Sequence, residues 1–88
     1  MDDTIPALTI EGPDAMGIVR YRVNGERIAS VVPQRMRESA QAHYGQAHEY
    51  AVYPGSGCGD RFYLDPADAH TRARLLVAQR FPVVVLAD

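Results

Sequence analysis

The chain has no lysine, no tryptophan, one cysteine and no long apolar run. A single thiol, Cys58, cannot close an internal disulfide and falls short of a cysteine-rich metal site, so disulfide scaffolds and zinc ribbons are excluded. No apolar stretch approaches the ~18 residues of a membrane span. Met1-Asp2-Asp3 is acidic where a secretory leader is basic, which points to a cytoplasmic chain with no membrane partner. Without lysine, the nine basic residues are all arginine; eleven acidic side chains oppose them for a formal charge of −2. That balance weakly repels nucleic acid overall, yet arginine alone offers the planar fork that grips carboxylate or phosphate with paired hydrogen bonds. Where the arginines lie therefore matters more than their sum.

What remains is an ordinary globular composition, 47% hydrophobic and 23% charged over 88 residues. A chain of this length buries only about 60% of its unfolded surface, so one core and one domain over 1–88 are expected, with 1–6 as a flexible N-terminal tail. Leu8 and Ile10 alternate with Thr9 and Glu11 as in a half-buried strand. Residues 18–32 then read as two strands about Asn24-Gly25, a pair suited to a type I′ turn because both central residues need positive φ. A two-residue turn sets Arg22 opposite Arg27, Tyr21 opposite Ile28, Arg20 opposite Ala29 and Val19 opposite Ser30. Val19, Tyr21, Val23, Ile28 and Val32 then share an apolar face, with Arg20, Arg22, Arg27 and Ala29 on the other.

Pro33 is expected to end the second strand and open a helix running to Tyr44, with Gly45 as its left-handed stop. Residues 48–53 and 61–64 carry strand-forming aromatics around a glycine-rich loop, 54–60. Asp65-Pro66 opens a second helix, with Ala73, Leu76, Val77 and Phe81 as its buried stripe and Pro82 after its end. Val83, Val84, Val85 and Leu86 form a continuous aliphatic run, either an interior strand covered on both faces or an edge that could pair with its twin in a homodimer. The fold class is α+β: a largely antiparallel sheet with two helices on one face, in the order βββα-ββαβ.

Four candidate chemistries follow. Arg20, Arg22 and Arg27 gather on one sheet face, where like charges placed opposite one another repel unless an anion, an acidic partner or Glu11 of a neighbouring strand compensates. A solvated face is the plain alternative, and nucleic acid the weaker one, because a basic excess and stacking aromatics are missing. Cys58 has accessible flanking glycines, but no local motif sets His43, His48 or His70 beside it to lower its pKa, so an incidental thiol is favoured over a nucleophile. The glycine-rich loop lacks the Gly-Lys-Ser/Thr of a phosphate cradle and meets Asp60 instead. The histidines lack metal-ligand spacing, and His70 faces the apolar stripe as a structural imidazole. No cofactor and no enzyme signature emerge.

Residues 19–32 with Asn24-Gly25, His43-Tyr44-Gly45, 75–78 and 83–88 resemble the outline of short bacterial proteins that carry a domain of unknown function. The likeness covers about half the chain; Pro33 and the glycine-rich hairpin depart from it. It implies a small α+β fold and supplies no activity. The expected role is a non-catalytic protein-interaction or regulatory module with an unidentified protein partner.

Overall fold

A computed structural model describes residues 5–55, 59 and 61–87. The elements run β1 (Ala7–Glu11), β2 (Val19–Val23), β3 (Glu26–Arg35), α1 (Glu38–Tyr44), β4 (His48–Pro54), β5 (Arg61–Tyr63), α2 (Pro66–Arg80) and β6 (Val85–Leu86). They build one sheet of spatial order β5-β4-β3-β2-β1-β6, antiparallel except where β6 joins β1. The expected α+β class and element order are therefore found.

The β2–β3 turn forms as its residues dictate, with φ of 51° at Asn24 and 85° at Gly25. Arg22 faces Arg27, as expected. Beyond them the register shifts, and Tyr21 faces Ala29, Arg20 faces Ser30 and Val19 faces Val31. Ile28 is the extra residue of a bulge. Strict alternation would put Ser30 into the core and leave Ala29 and Val31 outside. The bulge instead buries Ile28, Ala29 and Val31 together. Burying a valine side chain contributes about 1.5–3 kcal/mol, against about 1 kcal/mol for one disturbed ladder hydrogen bond. The expected two-face assignment is thus corrected at Ala29, which is core, and at Val32, which lies half-buried on the opposite face.

Pro33 neither ends β3 nor opens a helix. The strand continues to Arg35, with Pro33 opposite Tyr50 of β4. β2 begins at Val19, whose partner is Val31, so beyond that point β3 has a neighbour on one side only. Proline is tolerated on such a local edge. The first helix shrinks to seven residues, none of them buried, closed by Gly45 at φ 70°. It adds nothing to the core, and the layer covering the sheet is α2 alone.

Asp65 caps α2 by accepting the Ala67 amide at 2.9 Å, and Pro66 fills the first turn. Ala69, Ala73 and Val77, at four-residue spacing, are the residues it buries. They meet Tyr21, Val23, Ile28, Val31 and Val52, while Leu76 and Phe81 pack at the margin. The C-terminal aliphatic run is an edge and not an interior strand. Its Val85 and Leu86 lie beside Ala7 and Leu8, and the Val85 amide donates to the Pro6 carbonyl at 2.9 Å. The short segment 81–84 after α2 brings the chain only to the vacant side of β1. Of the expected tail at 1–6, Pro6 is thereby engaged, and residues 1–4 lie outside the described residues.

Candidate functional site

Because α2 covers one side of the sheet, the other is open, and strand alternation decides what it presents. Two neighbouring cross-strand rows carry its arginines: Glu11, Arg20, Ser30 and Tyr53 in one, and Thr9, Arg22 and Arg27 in the next; Gln34 and Glu49 form a further polar row beyond Val32 and Ala51. The three arginines expected to share a face do share it.

Two of them are matched by carboxylates of the same chain. Arg20 donates to Asp14 at 2.9 Å. Asp14 also accepts the amides of Ile18 at 3.0 Å and Met16 at 2.9 Å from its own loop. These contacts, the Ile18 amide foremost and then Arg20, hold its carboxyl below the ordinary aspartate range. Arg22 pairs with Glu11 and donates to the Gly25 carbonyl at 3.3 Å. Glu11 thus relieves the repulsion between the facing residues Arg22 and Arg27. Arg27 differs from both: its guanidinium donates to the Gly55 carbonyl at 3.1 Å, and among the described residues no carboxylate pairs with it. Two of the three guanidiniums thus have carboxylate partners, and among the described residues Arg27 has none; Glu49, opposite Gln34, lies on the same face beyond Val32 and Ala51.

Between these rows lies a cleft of about 140 Å³ lined by Ile18, Arg20, Arg27, Ser30, Val32 and Tyr53. Ser30 sits at its floor, 3% exposed, and among the described residues its Oγ has no hydrogen-bond partner. Leaving a buried hydroxyl unpaired costs roughly 1–3 kcal/mol, a sizeable share of a small domain's stability. Tyr53 is fixed over the same face by accepting Gln34 Nε2 at 2.8 Å. Sequence reasoning missed Ser30 and Tyr53. The available signal was a lone serine inside the run Ile28-Ala29-Ser30-Val31, but only the bulge sets it opposite Arg20.

A wider hollow of about 530 Å³ at the turn end of β3 is lined by Glu26, Arg27, Gly55 and Arg80 among others. There Arg80 and Glu26 satisfy one another at 2.6 Å, so that hollow holds no unpartnered buried group comparable to Ser30. Cys58 and most of the glycine-rich loop lie outside the described residues. Among the described residues no group of three or more His, Cys, Asp or Glu side chains could hold a metal ion, and no helix is long and apolar enough to cross a membrane.

His70 takes the structural role expected of it. Tyr21, 1% exposed, donates its hydroxyl to His70 Nδ1 at 2.6 Å when the ring proton is on Nε2. Burial, and then the nearby Arg74 guanidinium, hold the imidazole below its ordinary value near 6.5. The unfolded chain then accepts a proton that the folded chain refuses. His70 therefore contributes fully above about pH 6.5, and its contribution falls away as pH drops from there through the lowered folded value. Urea denaturation at pH 7 and 5.5 should give a lower midpoint at pH 5.5, and His70→Gln should flatten that slope. An unchanged slope in the variant would remove His70 from the account.

Comparison with known protein families, characterised proteins and solved structures returns no match. The site therefore rests on its geometry alone.

Proposed function

We propose that the chain is a small, non-catalytic cytoplasmic interaction module that receives an acidic segment of a partner protein on the open face of its sheet. The observation that carries this reading is Arg27, a guanidinium without a carboxylate partner among the described residues, beside a cleft it shares with Arg20. An acidic side chain there would replace a neutral carbonyl contact by a charge-assisted one, typically about twice as strong. Glu11 and Asp14 stand on the same side of the sheet and disfavour a polyanion, so a peptide carboxylate is preferred to nucleic acid.

The test is a titration of ¹⁵N-labelled protein at low salt with an aspartate- and glutamate-rich peptide, a lysine-rich peptide and a DNA duplex. Amide shifts should arise with the acidic peptide, concentrate at Arg20, Arg27, Ser30 and Val32, and weaken about tenfold or more in Arg27→Gln, since hydrogen bonds to charged groups contribute about 1.5–3 kcal/mol. No shift with the acidic peptide, or tighter binding of the duplex, would overturn the reading.

A second surface supports self-association. β6 is the outermost strand, and Val83, Val85 and Leu86 are 65%, 46% and 67% exposed beside it. A second copy pairing along this edge would cover them. Solution mass should rise toward that of a dimer with concentration, and Leu86→Lys should hold it at the monomer value; a wild-type monomer at all concentrations would dispose of this edge as an interface.

A further inference from the structure

We infer that the cleft over Ser30 is a pocket for one aliphatic carboxylate, the side chain of Asp or Glu or the terminal carboxylate of a peptide. This rests on the reading of the open face as a docking surface and goes further, to the group recognised and the atoms that recognise it. The independent observation is the Ser30 hydroxyl, 3% exposed and without a partner among the described residues. Buried polar groups are nearly always paired, so an unpaired one in a cleft marks a place where a partner belongs. Ser30 lies directly across from Arg20 on one side and Tyr53 on the other, and cross-strand neighbours share a face, so its hydroxyl belongs with the side chains that line the cleft.

Charge, size and donor count select the ligand. Arg20 is already matched by Asp14, so among the described residues the positive charge left beside the cleft for an occupant sits on Arg27. A monoanion completes that balance, whereas a phosphate dianion would bring surplus charge toward Asp14. The Ser30 hydroxyl and an Arg27 N–H are two donors for the two oxygens of a carboxylate. Ile18 and Val32 supply apolar walls for the methylenes behind it, and about 140 Å³ admits such a group and excludes a nucleotide.

The probes are N-acetyl-glutamate α-amide, which offers only a side-chain carboxylate; N-acetyl-glycine, which offers only a terminal one; N-acetyl-glutamine amide as the uncharged isostere; and inorganic phosphate. Each is titrated into ¹⁵N-labelled wild type, Ser30→Ala, Arg27→Gln and Val32→Phe. Shifts at Arg27, Ser30 and Val32 are expected with one or both carboxylates and not with the glutamine compound; the better of the two identifies the source. Ser30→Ala should weaken binding about tenfold while melting no lower than wild type, because it breaks no hydrogen bond within the fold. Val32→Phe, which fills the cleft and leaves both donors in place, should abolish binding. If Ser30→Ala and Val32→Phe bind the acidic peptide and the carboxylates like wild type while Arg27→Gln does not, the face docks acids but the pocket is refuted. Loss in none of the three variants refutes both readings. Phosphate binding tighter than either carboxylate, or no ligand shifting these amides, as when the hydroxyl is served by water, overturns the carboxylate pocket.

Discussion

Ala73→Leu should lower the melting midpoint by about 4–24 °C. α2 meets the sheet through Ala69, Ala73 and Val77, which are 0%, 0% and 2% exposed. Two of these three contacts are methyl groups, so helix and sheet are close enough that no room exists for an isobutyl group. Overpacking a filled interface costs typically 1–3 kcal/mol, occasionally more. A domain of this length holds roughly 4–13 kcal/mol in all, and each kcal/mol moves the midpoint of so small a protein by about 4–8 °C. The helix cannot slide aside to relieve the clash, because Asp65 fixes its start and Tyr21 is bonded to His70 one turn before Ala73. Ala67→Leu, on the exposed first turn, adds the same atoms and should change stability by less than about 0.5 kcal/mol. Equal midpoints for the two variants would mean that the alanine stripe is not where the helix docks.

The same stripe shows how far the residues alone could lead. Local signals were legible. Asn24-Gly25 specifies its turn through φ, Asp65-Pro66 opens α2 through a cap and a ring, and Gly45 closes α1, each by chemistry contained within a few residues. What escaped depends on partners distant in sequence. Pro33 can stay in a strand only because β2 begins at Val19 and leaves that part of β3 without a neighbour, a fact about two strands and not about proline. The bulge at Ile28 is chosen by the burial of Ala29 and Val31 beneath a helix that starts at Pro66. The destination of the run from Val83 to Leu86 was open for the same reason.

The candidate site divides along the same line. That Arg20, Arg22 and Arg27 share a face follows from turn and pleat, and both were readable. Which of them keeps an unmatched charge is set by Asp14, delivered by a loop whose own amides hold it, and by Glu11 on a strand reached only through that loop. Ser30 was invisible as a recognition group because its place on the arginine side is a product of the bulge. One irregularity thus moves Ala29 into the core and aligns the serine hydroxyl with the arginines, so packing and the proposed recognition have a common structural origin.

Gly55→Ala joins stability to that site and should lower both. A Cβ at Gly55 would stand 2.1 Å from the Arg27 carbonyl oxygen and 3.2 Å from its carbon, and both are backbone atoms that no side-chain rotation can clear. The Gly55 amide donates to Ile28 at 2.8 Å and its carbonyl accepts from Arg27 at 3.1 Å, so the required shift strains two hydrogen bonds along with the strand end. Loss of about 2–4 kcal/mol is expected, a fall of roughly 10–25 °C in the midpoint. The functional consequence is separable from the thermal one. At a temperature where the variant is still folded, acidic-peptide binding should be weakened, because the carbonyl that orients the Arg27 guanidinium has moved. Arg27→Gln, at an exposed residue, should lose binding with little change in midpoint. A Gly55→Ala protein that melts like wild type would show that β3 and β4 do not approach so closely there. One that melts lower yet binds the peptide undiminished would mean that Arg27 needs no anchor to do its part.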